Sequence, residues 1–218
     1  MCFSPEASFT AAAFTGAIGV LALSRARGLR EAPLAATPLL FAAQQSLEGL
    51  IWLAAPQAQG DPMSGRLVLA YLIFAKALWP LYAPLVVMLV EPDAGRRRVM
   101  TPWLATGAGV SAYLAWGLAS QPYSAQVIEG HLVYRAAQGN PVLVALGYLT
   151  ATTVPLLLSS HRAIRALGLA VAVGSVAAYG FYWAAFLSVW CFFAAVASAV
   201  ILVHFEQRRR AALRPAAP

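Results

Sequence analysis

The stretch SRARGLREAPLAATPLLFAAQQSLEGLIWLAA, Ser24–Ala55, decides the fold. It opens on an arginine cluster and continues as an apolar run long enough to cross a bilayer, which takes about 20 residues. Glu48 is the only formal charge inside that run. The same grammar repeats along the chain. Apolar runs cover Ala7–Leu23, Pro33–Ala55, Leu67–Val90, Val99–Ser120, Pro141–Ser160, Ala163–Trp183 and Leu187–Phe205. The last two form one nearly charge-free stretch, too long for a single helix across a core of roughly 30 Å. Gly180 and the aromatic group Phe181, Tyr182, Trp183, Phe186 and Trp190 mark the turn between them, with Trp52 and Trp116 at the same level as an aromatic belt requires. The expected fold is an all-α transmembrane bundle of seven helices, a single integral-membrane domain over residues 1–218.

Composition agrees. The chain has 218 residues, 61% of them hydrophobic and 11% charged, against about 25% charged in a soluble domain. Seven spans of about 20 residues use roughly 140 positions, and two tails and six loops share the rest. No separate soluble domain fits, and a disordered tail or disulfide scaffold is excluded.

The net charge of +7 has a topological origin. Arg25, Arg27 and Arg30 follow the first run, and Arg96, Arg97 and Arg98 follow the third. Arg162 and Arg165 follow the fifth, and Arg208, Arg209, Arg210 and Arg214 follow the seventh. The alternate connections hold only Arg66 and Arg135. This is the positive-inside pattern. It places the N-terminus outside and the C-terminus inside, in a multi-pass protein of the cell inner membrane. The arginines would meet anionic headgroups of the lipid bilayer, and no surface is left for nucleic acid. The start is not read as a signal peptide, because Glu6 rather than a basic region precedes the apolar run.

Small residues recur at four-residue spacing: Ala12 and Gly16, Thr15 and Gly19, Gly168 and Ala172, Gly174 and Ala178. They allow close helix approach in lipid and leave a homo-oligomer open. Pro80, Pro84 and Pro155 should kink spans three and five. Between spans four and five, Ala125–Ile128 and His131–Tyr134 flank Glu129-Gly130 and read as a short outer β-hairpin. It serves as a lid or as an inert ordered loop.

The strongest chemical signal is Gln44-Gln45-x-x-Glu48 followed by Trp52. Gln44 and Glu48, and Glu48 and Trp52, are four apart and share a helix face. A carboxylate inside a membrane span is a functional hypothesis by default. Lys76, the only lysine, lies inside span three at a depth matching Glu48 to within about one helical turn. The two are expected to face one another. They act either as a buried pair that fixes register or as part of a site that binds or translocates a small solute or ion. In the second reading Glu48 accepts charge or a proton, Gln44 and Gln45 orient the ligand, Lys76 balances charge and Trp52 lines the outer approach.

Cys2, Cys191 and His131 all fall on the outer side, where a disulfide is allowed. A thiolate–imidazole metal site is conceivable there, but the spacing is no metal motif. His161 and His204 lie at the inner ends of spans five and seven. A bis-histidine haem is the alternative to plain interfacial histidines bordering arginine clusters. No cofactor is predicted outright. Span seven has no lysine for a retinal Schiff base, and no G-x-S-x-G, H-E-x-x-H or P-loop motif occurs. The balance leans away from an enzyme. A membrane-embedded sensor or accessory subunit, and a metal- or haem-dependent redox protein, are the alternatives to solute or ion binding.

The opening Met1-Cys2-Phe3-Ser4 with Ala7-Ser8-Phe9 resembles an uncharacterised family of bacterial multispanning membrane proteins. So do LLFAAQQSLEGLIWL at Leu39–Leu53, LWPLYAPLVVMLVE at Leu78–Glu91, SSHR at Ser159–Arg162 and SVWCFFAA at Ser188–Ala195. The resemblance runs along the whole chain. It implies a compact bacterial membrane bundle and brings no established activity, substrate or cofactor.

Overall fold

The computed structural model describes residues 4–54, 62–128, 130–136, 141–181 and 186–213. Ser4 opens the first helix. Its Oγ accepts the Ala7 N–H at 3.2 Å, and Pro5 takes the first turn, where a missing N–H costs nothing. Helix α1 (Pro5–Leu23) therefore starts ahead of its apolar run and reaches 19 residues. The connection turns at Gly28, whose φ of +144° suits glycine, and α2 (Ala32–Ala54) returns alongside α1. The third rod is composite: α3 (Pro62–Leu72), a π-turn (Ile73–Leu78) and α4 (Trp79–Val90). Pro80 has no N–H for the carbonyl one turn back, and the helix widens directly ahead of it. The kink expected at Pro80 thus takes the form of a π-turn.

Helix α5 (Ala94–Ser120) follows, then strands β1 (Tyr123–Ile128) and β2 (His131–Ala136), and α6 (Pro141–Leu158). Helix α7 (Arg162–Phe181) leads to a final rod of α8 (Phe186–Ala197) and α9 (Ala199–Leu213), interrupted at Ser198. Among the described residues these segments make seven helical rods and one two-stranded sheet. The turn assigned to Tyr182 and Trp183 lies outside the described residues.

Two boundaries differ from the sequence reading. Arg96, Arg97 and Arg98 stand in the first turns of α5, and Arg208, Arg209 and Arg210 stand in α9, rather than in loops. Asp93 caps α5 by accepting the Arg96 N–H at 2.6 Å. Arginine is a good helix former, and near the end of α9 its charge suits the helix dipole.

Among the described residues four helices are long and apolar enough to cross a membrane: Pro5–Leu23, Gly65–Val90, Arg162–Phe181 and Val189–Ala212. Val142–Leu158 is a shorter apolar helix. In α2, by contrast, Gln44, Gln45 and Glu48 lower the apolarity of a 23-residue helix. Large apolar side chains stay exposed around an apolar core that also holds a few buried polar groups. Leu169, Val173 and Val176, spaced along one face of α7, are 60%, 60% and 76% exposed, while Gln44, Gln45 and Glu48 are fully buried. Exposed apolar helix faces around a buried polar layer suggest a membrane protein.

Close packing uses the small residues. Gly19 lies against Leu39, Gly49 against Phe9, and Gly168 against Leu156. A Cβ at Gly107 would run into the carbonyl oxygen of Pro80, so α5 and α4 touch backbone to backbone there. The hairpin pairs Tyr123 with Ala136 through Ile128 with His131, and Gly130 turns it at φ +75°. It is not isolated. β1 packs on α3 and β2 on α8, Leu132 is fully buried, and Tyr134 stacks on Tyr71 at 4.4 Å.

Candidate functional site

Two polar layers occupy the bundle, one near the hairpin and one at the arginine-rich end. The first is built on α2. A helical face that is apolar at Leu34, Pro38 and Phe41 turns polar at Gln44, Gln45 and Glu48, and all of these are buried. Gln44 Oε1 accepts the Trp79 indole N–H at 2.7 Å, and Trp79 stacks on Phe41 at 4.1 Å. Cys191, a fully buried free thiol of α8, lies close to Gln44, Tyr71 and Glu48. Tyr148 of α6 stands beside Cys191, and its hydroxyl donates to Ala75 O at 2.7 Å. Helices α2, α3, α4, α6 and α8 therefore converge on one polar layer, roofed by the Tyr71–Tyr134 stack.

Several atoms of this layer have no hydrogen-bond partner among the described residues. They are Gln45 Oε1 and Nε2, Gln44 Nε2, Trp52 Nε1 and Ser8 Oγ. Gln45 shares a helix face with Ala42 and Gly49, the residues that meet Gly16 and Phe9, so it looks toward α1. The antiparallel register of those contacts sets Ser8 level with the turn that follows Glu48. Each buried polar group left without a partner carries a desolvation penalty of about 1–3 kcal/mol. Such groups mark a strain reservoir, a functional site or a water position.

The sequence pattern brings Gln44, Gln45, Glu48 and half-buried Trp52 into or beside this layer. Lys76 takes another position. Tyr71, Ala75 and Trp79 present the inward face of their rod, and Lys76 sits roughly a quarter-turn round from Ala75. It is half-buried, and among the described residues no carboxylate acts on its ammonium. The π-turn and the packing of Ala75 give the inward face of the rod to Ala75, and the opposition of Glu48 and Lys76 stays an expectation of the sequence. Tyr71, Trp79, Tyr148 and Ser8 were missed by the sequence reading. Trp79 alone carried a usable signal, since a buried indole N–H needs an acceptor.

Among the described residues no three His, Cys, Asp or Glu side chains converge to hold a metal ion. Cys2 of the proposed Cys2–His131–Cys191 group lies outside them. His161 and His204 do come together, but edge to face at 4.7 Å between ring centroids. His161 Nε2 is engaged with the Val90 carbonyl at 3.2 Å. Two rings in mutual contact do not present axial nitrogens to opposite faces of a haem.

The second layer centres on Glu91, which is 2% exposed. Its Oε1 accepts from the Ser160 hydroxyl at 2.5 Å and the Asp93 N–H at 3.2 Å. Its Oε2 accepts from the Ser160 N–H at 2.7 Å and the Ser159 hydroxyl at 3.2 Å. Arg97 donates to the Glu91 carbonyl at 2.7 Å, and Arg165 to that of Ser159 at 3.1 Å. Burial pushes the Glu91 carboxyl up, but the four donors outweigh it and hold the group below its ordinary 4.5. Glu91 thus ties α4 to the α6–α7 connection.

The family model of DUF6629, a family of unknown function, matches residues 1–217. The chain belongs to this family. Comparison with curated proteins and with solved structures returns no match. Membership in DUF6629 accords with the whole-chain resemblance of the sequence and brings no activity to the polar layers.

Proposed function

We propose that this protein binds or translocates a small polar solute or ion at the buried layer of Gln44, Gln45 and Glu48, in the cell inner membrane with the hairpin outside. The observation that carries the reading is Gln45, fully buried with neither amide atom partnered among the described residues. A buried amide supplies both a donor and an acceptor, so it suits a ligand that needs both. Glu48 supplies charge or accepts a proton, Gln44 Nε2 adds a donor, and Trp52 lines the approach from the hairpin. The positive-inside distribution of arginine supports the orientation.

The test uses purified protein reconstituted in liposomes, with fluxes of protons, sodium, potassium and glycerol followed against protein-free liposomes. Wild type should carry at least one of the four above background, and Glu48→Gln, still monodisperse, should lose it. Equal flux in wild type and Glu48→Gln rejects the reading. Background flux in wild type, with destabilisation by Glu48→Gln, favours a second reading. There the layer fixes packing in a membrane-embedded sensor or accessory subunit, as the Gln44–Trp79 bond already does locally. Alkaline phosphatase fused after Arg209 should stay inactive in cells, and activity there would reverse the orientation.

A further inference from the structure

Lys76 and its surroundings form a separate constellation on the far side of the same rod. The contact between Gly107 and Pro80 fixes how α5 crosses the composite helix. The two run antiparallel, being joined only by residues 91–93. One turn from Gly107 toward the hairpin lies Ser111, and one turn from Pro80 in the same direction lies Lys76. The two residues therefore stand at one level on facing elements, α5 and the π-turn, which are in contact. Helix α6 closes the third side: Ala151 meets Gly107, Gly147 meets Val110, and Tyr148 holds Ala75 O.

Ser111, like Ser8, departs from the usual resting state of a buried hydroxyl here. Thr15, Ser46, Thr152 and Ser175 each turn back on the carbonyl four residues earlier, at 2.7 to 2.9 Å, the usual resting place of a hydroxyl inside a helix. Ser111 is 7% exposed, and its Oγ has no partner among the described residues. A hydroxyl without an acceptor thus stands level with an ammonium on which no carboxylate among the described residues acts. An isolated cation within a membrane span is costly and calls for a counter-charge, and a hydroxyl is a donor that an anion can use. π-turns, moreover, recur at functional sites.

We propose that Lys76 and Ser111 form a binding site for a small monovalent anion, a halide or a carboxylate, at the junction of the π-turn with α5. Lys76 supplies the charge and Ser111 the directional hydrogen bond. The site does not depend on solute binding at Glu48.

The test is the chlorine NMR linewidth of sodium chloride solutions containing the purified full chain in detergent micelles. Wild type should broaden the line above empty micelles, and added formate should narrow it again by competition. Lys76→Met should weaken chloride binding by about tenfold or more, Ser111→Ala several-fold, and Lys76→Arg little. Arg209→Gln, which removes an exposed charge of the tail, should leave the broadening unchanged and so controls for general basicity. Ser111→Ala removes one atom and carries the test if Lys76→Met is not monodisperse. Broadening absent in wild type, equal in wild type and Lys76→Met, or lost equally in Arg209→Gln overturns the proposal. Wild-type broadening that formate does not narrow confines the site to halides.

Discussion

Glu91 and Gln45 are both polar side chains shut away from solvent, and the bundle treats them in opposite ways. Around Glu91, four donors from residues 93, 159 and 160 meet two carboxylate oxygens. Around Gln45, among the described residues, nothing meets either amide atom. A satisfied buried network rigidifies and specifies a structure, whereas a partly satisfied one holds free energy in reserve. The arginine-rich end therefore has the character of a latch between α4 and the α6–α7 connection, and the hairpin end that of a site.

The contrast breaks most readily at Glu91. Glu91→Ala leaves the Ser160 N–H and two serine hydroxyls without their acceptor and should cost about 3 kcal/mol, in the range of hydrogen bonds to charged groups. Denaturant unfolding in micelles measures it, and a loss below about 1 kcal/mol would show that solvent replaces the carboxylate freely. The same latch has a pH signature. Because the folded Glu91 carboxyl is held below 4.5, its contribution is complete above that value and disappears as pH falls through the folded value. Wild type should thus converge on Glu91→Gln in stability under acid, having exceeded it at neutral pH. A constant gap between the two across that range would remove the ionised carboxylate from the account.

Gln44 is intermediate between the two residues, with its carbonyl engaged and its amide nitrogen not. Gln44→Leu should cost about 1–2 kcal/mol, because it strands the buried Trp79 N–H. Tryptophan fluorescence should shift with it, since Trp79 would lose its acceptor. Full recovery of stability in Gln44→Leu with Trp79→Phe would assign the loss to that one bond, and additive losses would not.

These residues also separate what was readable in the chain from what was not. The α2 layer was visible because three polar residues interrupt an apolar run at helical spacing, and nothing but function or packing accounts for them. Glu91 was hidden by its neighbourhood. It ends an apolar run beside Asp93 and three arginines, where topology already explains charge, and its partners Ser159 and Ser160 lie far along the chain. The π-turn beneath Lys76 was not legible, since a 3.6-residue period carries no trace of one. The hairpin was legible down to its turn at Gly130, because glycine at positive φ is a local requirement; Glu129 lies outside the described residues. Its docking through Leu132 and Tyr134 is a tertiary fact that no local pattern encodes.

The smallest expected effect is the most discriminating. Replacing Gln45 by leucine removes two buried polar atoms that lack partners among the described residues and keeps most of the side-chain volume. Where both partners of a hydrogen bond are absent, an apolar substitute of similar shape is neutral or stabilising. Gln45→Leu should therefore leave stability unchanged or raise it by up to about 1 kcal/mol. If the amide serves a ligand, the same variant should lose the flux carried by wild type while the fold holds. Stability gained with function lost is what a residue retained for binding shows. A clear loss of stability would instead mean that Gln45 belongs with Glu91 as a structural group, and the distinction between the two ends of the bundle would fall.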